Sequence, residues 1–412
     1  MSGTIGDNVY RASGVIAAAA GGGGAISWDT STIQTTGFTA EAGIGYFCNT
    51  TGGSFTVTLP AAPAAGDMIG IKDYLNTFDT SALTLGRNSK PIESESLDGV
   101  LQTEGDEAVL IFMDDTVGWK IINHAAKEDI AFPTYIAATG GTEATSGDYK
   151  IHVFTANACF TVTSVGNAAG SNSVCYMVAG GGGGGAGPNP KGGGGGAGGW
   201  RASAGTTNGS YCAGPSPLVA GVAAIPVAAP VSYPIAVGAG GAATGGGSAA
   251  SFSTITSAGG GGAPGGSGGS GGGNTGSNSP NTNGNQPPVS PIQGYPGGWT
   301  AGGGATGAGT TNYGFTGSGA GTDIYPCAPV GGPGPGDAPS SLRYFSGGGF
   351  GGEQRGWPNT GCGTPEPAMR TTLGFSAPAN SGGGGGGSAP GQSPTTPGAG
   401  GSGVVMIRYK YQ

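Results

Sequence analysis

His124 and His152 are the only two histidines in the 412 residues. His152 sits in the alternating stretch YKIHVF, where a packed or exposed strand histidine is the ordinary outcome and a catalytic base the exception. The acid pairs Asp106–Glu107 and Asp114–Asp115 fall between apolar stretches and read as solvated turns. A glycosidase needs two carboxylates at a set separation, which spacing along a chain does not supply. No calcium-loop spacing is present either. Six cysteines, Cys48, Cys159, Cys175, Cys212, Cys327 and Cys362, are scattered with no C-x-x-C, which argues against zinc and for buried free thiols. G-x-G-x-x-G arises repeatedly because glycine is everywhere. No copy stands between a strand and a helix with an acid about 20 residues on, and no G-K-[ST] phosphate loop occurs. The expectation is a non-enzyme with no catalytic residue, no metal and no cofactor.

What the chain has in place of chemistry is glycine. It holds 96 glycines and 29 prolines, and only 9% of its residues are charged. Disordered chains are usually held open by charge, so this composition points elsewhere. The first 148 residues carry 18 of the 22 acids and 6 of the 14 bases, which marks two modules of different character. No Lys/Arg cluster suits nucleic acid. No basic segment precedes an apolar stretch at the N-terminus, and no apolar run approaches the ~20 residues of a membrane span. A chain made in a cytoplasm, outside the usual export route and without membrane insertion, is expected.

The fold class expected is mostly β with almost no α-helix. Residues 1–25 form an N-terminal segment. Residues 26–124 read as a small all-β module, a sandwich or barrel. Its strand candidates are Ser54–Leu59, Met68–Lys72, Ala82–Leu85, Ala108–Met113 and Gly118–Ile122, separated by turn signals. Residues 125–148 read as a junction, and 149–412 as a glycine-rich domain. There, strands and glycine runs are stitched together: YKIHVF, CFTVTS and VCYMVA, then Gly180–Gly185; YPIAV before GAGG; SFSTIT before GGGG; and a last strand, Val404–Tyr411, after the last run.

A glycine run alone in water is a flexible coil. Packed against its like, it can take the extended threefold helix, rising about 3.1 Å per residue with no internal hydrogen bond. Every N–H and C=O must then find a partner on a neighbour. Without Cβ atoms the neighbours come close enough to supply one. Ordering backbone costs about 1–2 kcal/mol per residue, with glycine at the upper end, so one run cannot stand alone. Several runs bonded into a slab, registered by strands, can. VAGGGGGGAGPNPKGGGGGAGGW (178–200) reads as two such helices joined by Pro188–Lys191.

The stretches between runs are rich in Asn, Pro, Ser, Tyr and Trp, a paratope-like composition on a scaffold. They supply the candidate contact residues Asn189, Lys191, Trp200, Tyr211, Tyr295, Trp299, Tyr313, Tyr325, Arg355 and Trp357. The bland alternative for Trp200, Trp299 and Trp357 is that they cover glycine helices from water.

Two resemblances follow from these motifs. VTLPAAPAA (57–65), Gly66–Asp67, Asp73–Tyr74, Gly86–Asn88 and Gly118–Trp119 resemble a β-module of tailed-bacteriophage tail fibres. YMVAGGGGGGAG, GGGGGAGGWR, YPIAVGAGG, SFSTITSAGGGG, GYPGGW and GGSGVVMIRY occur in the order of phage glycine-rich tail-fibre domains, similar in plan to T-even-type adhesins. The loops between runs are longer here, and VVMI carries a methionine. The resemblance implies packed polyglycine helices with host-binding loops at one end, in a homotrimer of the virion tail assembled in the host cytoplasm. It further implies attachment to other tail proteins through the N-terminus (Asn8, Tyr10, Arg11) and a host surface glycan or outer-membrane protein as target. The rival reading is a capsid decoration or other appendage without a receptor; a weaker one is a cell-surface glycine-rich matrix protein.

Overall fold

The computed structural model describes residues 26–123, 132–167, 169–187, 192–275, 282–309, 316–325, 342–351, 374–388 and 396–412. Asn8, Tyr10, Arg11, His124, Cys327 and Cys362 lie outside them. Two compact units divide the chain at Thr134/Tyr135. Among the described residues there is no helix, and no sheet closes into a barrel.

The first unit contains nine strands: β1 (Ser27–Gln34), β2 (Phe38–Thr39), β3 (Ile44–Cys48), β4 (Thr56–Thr58), β5 (Met68–Asp73), β6 (Leu83–Gly86), β7 (Gly99–Leu101), β8 (Glu107–Phe112) and β9 (Trp119–Ile121). The first six alternate between two sheets, ordered β1-β3-β5-β8-β9 and β2-β4-β6-β7. Within each sheet these early strands run parallel, so the chain winds as a coil before β7, β8 and β9 add antiparallel edges. One core lies between the sheets: Tyr46, Ile69, Ile71, Leu110 and Trp119 from one, Val57, Leu83 and Leu85 from the other. The barrel alternative thus gives way to an open two-sheet core. Cys48 is buried there, and burial together with the Asp73 carboxylate pushes its thiol up to about 12.

The second unit begins with β10 (Ala137–Thr139), β11 (Thr142–Ser146), β12 (Tyr149–Phe154), β13 (Ala158–Ser164) and β14 (Ser173–Ala179). Part of the expected junction is therefore strand. It continues with β15 (Trp200–Ala202), β16 (Ile225–Pro226), β17 (Val231–Ala236), β18 (Ala250–Phe252), β19 (Ile255–Ser257), β20 (Ala320–Thr322), β21 (Arg343–Phe345) and β22 (Val404–Lys410). SFSTIT, expected as one strand, is a hairpin: Ser253 takes a φ of 53° and reverses the chain between β18 and β19.

The central sheet runs β11-β12-β22-β14-β15, with β16 also pairing β14. The last strand, β22, lies between β12 and β14 and is covered on both faces. Val405, Ile407 and Tyr409 face a core with Phe160 and Phe252 from the sheet β10-β13-β17-β18-β19. Val404 and Met406 face a second core with Met177, Trp200 and Phe345. Burial on both faces explains why VVMI is a continuous apolar run.

His152 is fully buried in this sheet. Its Nδ1 lies 2.6 Å from the Gly140 carbonyl, which can only accept, so Nδ1 carries the proton. Nε2 then accepts from the Tyr409 hydroxyl at 3.0 Å. Burial holds the imidazole pKa below its usual value; the bond to Gly140 and the Glu143 carboxylate oppose this, and Lys150 adds to it. The unfolded chain binds the proton first, so this group's contribution is complete above pH 6.5 and is lost as pH falls from there through the lowered folded value. The thermal midpoint of the second unit therefore declines as pH is lowered below 6.5, and His152→Gln removes that part of the slope, measurable by calorimetry across a pH series.

Candidate functional site

The chain leaves the central sheet at Ala179 and returns at Val404, and these two residues are paired. Between them, the described residues hold the glycine runs and the short strands β15–β21. Run 180–186 shows how the runs are bonded. Its N–H groups point in three directions in rotation. Gly180, Gly183 and Ala186 donate to Gly199, Gly196 and Gly193. Gly181 and Gly184 donate to Ser248 and Gly245, and Gly182 and Gly185 to Gly401 and Gly398. Its carbonyls accept in the same rotation from Gly260 and Ala263, from Gly241 and Thr244, and from Gly385 and Ser388. The run thus has six neighbours. The three it donates to are antiparallel and the three that donate to it are parallel. A repeat of three with no bond inside the run is the signature of the extended threefold helix.

The strands set the register. Antiparallel pairing of β14 with β15 ends at Ala179↔Trp200, and the same pairing continues as Gly180 to Gly199, Gly183 to Gly196 and Ala186 to Gly193. Pairing of β14 with β22 ends at Ala179↔Val404 and continues as Gly182 to Gly401 and Gly185 to Gly398. A sheet bonded at every second residue thus becomes a lattice bonded at every third. Glycine is required where runs approach most closely: a Cβ on Gly182, Gly183, Gly184, Gly195 or Gly198 would collide with a carbonyl oxygen of the next run. No such neighbour lies within 4 Å at Gly187, where the first run ends.

Runs that leave the sheet must turn at the far end. Gly194 donates to Thr300, Gly273 to Gly194, Ser388 to Ala186, Gly387 to Phe350, and Gly374 to Gly387. These bonds bring the run ends together. Segments 188–191, 276–281, 310–315, 352–373 and 389–395 all leave and rejoin the described residues at this end. Asn189, Lys191, Tyr313, Arg355 and Trp357 belong to those segments and lie outside the described residues. Trp299 stands here, half-buried in the turn closed by Gly298 N–H to Ala301. Two residues not singled out from the sequence join it. Phe375, 55% exposed, has its carbonyl bonded to Gly386; Phe350 has its own bonded to Gly387. Position was the available signal for Phe350, which stands between Gly349 and Gly351; Phe375, beside the single Gly374, carried none.

The remaining candidates are elsewhere. Trp200 is fully buried where its run becomes β15, with its ring 5.8 Å from that of Phe345, so it serves the core and offers no contact surface. Tyr211 packs on the buried Arg408 guanidinium at 4.9 Å, which also lies 4.4 Å from the Tyr149 ring, and burial pushes the Tyr211 hydroxyl pKa up. Tyr325 covers Arg343 at 5.2 Å. Tyr295 lies along the lattice, its carbonyl bonded to Gly271 and its N–H to Gly304. The thiols divide as well: Cys48 and Cys175 are buried, but Cys159 and Cys212 are exposed, contrary to the expectation of burial throughout. Cys212 is held at the surface by its backbone, whose N–H donates to Asp323 and whose carbonyl accepts from Thr322.

A family model described as a glycine-rich domain matches residues 156–410, from the start of β13 to the end of β22. The chain belongs to this glycine-rich domain family. No curated protein matches the chain. The matched span contains the whole excursion, so the glycine-rich domain is the lattice together with the strands that register it.

Proposed function

We propose that the protein is a virion structural protein of a tailed phage, a tail-fibre adhesin that attaches the particle to its host through the loop end of the glycine-rich domain. The observation that carries this reading is that the described residues flanking five chain segments come together, with Trp299, Phe350 and Phe375, at one end of a lattice closely bonded through its backbone. Recognition favours loops held on a rigid frame, because ordering is then not charged against binding. In this reading Asn189, Lys191, Arg355 and Trp357 contact a host surface glycan or outer-membrane protein, the chain is a homotrimer, and residues 1–25 join it to the tail. The purified full chain is expected to bind cells of the host that produces the virion and to compete with infection. Absence of binding and of competition at micromolar protein overturns the reading.

A further inference from the structure

The two sheets of the first unit differ in what they turn outward. Successive strand residues point to opposite faces. In the sheet containing β4 and β6, the positions alternating with core Val57, Leu83 and Leu85 are Thr56, Thr58 and Thr84. In the five-stranded sheet, the outward positions carry Trp28, Phe47, Met68, Val109, Ile111 and Ile122, with Lys120 beside Ile111 and the Lys72–Glu107 ion pair bounding this apolar band. All six apolar residues are half-buried or exposed; Trp28 is 38% and Ile122 51% accessible. They are contiguous: Met68 pairs Ile111, Gly70 pairs Val109, and the Trp28 and Phe47 rings lie 5.3 Å apart. An outward sheet face is ordinarily polar, as the threonine face is. An apolar band of this extent, bounded by Lys72, Glu107 and Lys120, is a surface built to be covered.

We propose that the chain's own segment Gly14–Ala25 covers this face. The chain reaches the described residues on the face itself. A Cβ on Gly45 would stand 2.9 Å from the Ile26 side chain, and one on Gly70 would stand 2.9 Å from the Trp28 ring. These two glycines form a floor on which the incoming chain lies. The preceding stretch, GVIAAAAGGGGA, holds Val15, Ile16 and five alanines with no charge. Twelve extended residues reach about 40 Å. Five strands at about 4.8 Å spacing are roughly 20 Å across. The segment is long enough, apolar enough and already tethered at the edge strand. A tethered segment also has an effective concentration that a separate partner lacks. The proposal is independent of what the loop end of the glycine-rich domain binds, and it leaves residues 1–13, with Asn8, Tyr10 and Arg11, for the proposed tail attachment.

Hydroxyl-radical footprinting of the full chain tests it, with oxidation read at Trp28 and Met68 and with core Trp119 as the fold control. In a Val15→Asp/Ile16→Asp variant, oxidation of Trp28 and Met68 is expected to rise at least threefold while Trp119 stays protected. If Trp119 becomes reactive, the single variant Ala18→Asp is read the same way. Equal oxidation in parent and variant overturns the proposal. If that equal protection falls on dilution, the occupant is a second copy of the chain.

Discussion

Gly183→Ala lowers the thermal midpoint of the glycine-rich domain by about 6–12 °C, taking about 3 kcal/mol of destabilisation and 2–4 °C per kcal/mol for a domain of this size. The sign is set by competing magnitudes. Alanine stabilises by roughly 0.4–1 kcal/mol by restricting the unfolded chain. Against that, the new Cβ meets the backbone of Gly261 and Gly262, with the Gly262 nitrogen at 2.8 Å. Backbone inside a lattice cannot swing aside as a side chain would. Moving it stretches the bonds from Gly183 to Gly196 and from Gly385 to Gly183, each 2.8–2.9 Å. Leaving a buried peptide group unmade costs about 1–3 kcal/mol, which exceeds the entropic gain. Gly187→Ala is the matched control: nothing lies within 4 Å of its Cβ, and its midpoint is expected to hold or rise by about 1–4 °C. Calorimetry on the two variants distinguishes a lattice from a linker, since a linker would tolerate both.

The second large effect separates two tryptophans that look alike in the sequence. Trp200→Ala is expected to cost about 3–5 kcal/mol, the usual range for emptying a buried aromatic site. Its ring fills the core shared by Met177, Leu218, Val404 and Met406. Trp200→Phe recovers most of that stability. Trp299→Ala changes stability by about 1 kcal/mol or less, as for other partly exposed positions. On the proposed function, however, it weakens binding to host cells by roughly 10–30-fold, the scale of an aromatic anchor. Chemical denaturation and a cell-binding titration on the same three variants read both quantities. Unchanged binding by Trp299→Ala at full stability removes this turn from the contact surface.

Much of this architecture was legible residue by residue. YKIHVF, VCYMVA and the strand after GGSG were visible because alternation and long apolar runs report burial directly, and they are β12, β14 and β22. The packed glycine helices followed from an argument about what backbone without Cβ atoms must do. Other features could not be read. SFSTIT alternates like one strand, and only the left-handed backbone at Ser253 makes it two. Trp200 and Trp299 both follow a glycine pair, yet one is fully buried and the other half-buried in a turn. Their common type would suggest the reverse just as well.

The amino-acid sequence by itself determined that this is a β and glycine protein of two modules, with its interior made of backbone. Composition decides that, because glycine runs can be ordered only against one another. Tertiary structure decided which run bonds to which, and therefore which segments meet at one end. A peptide group is the same donor and acceptor at every glycine, so the runs carry no side-chain label for their partners. The pairing of Ala179 with Trp200 and with Val404 supplies the label, and the lattice inherits its register from the sheet.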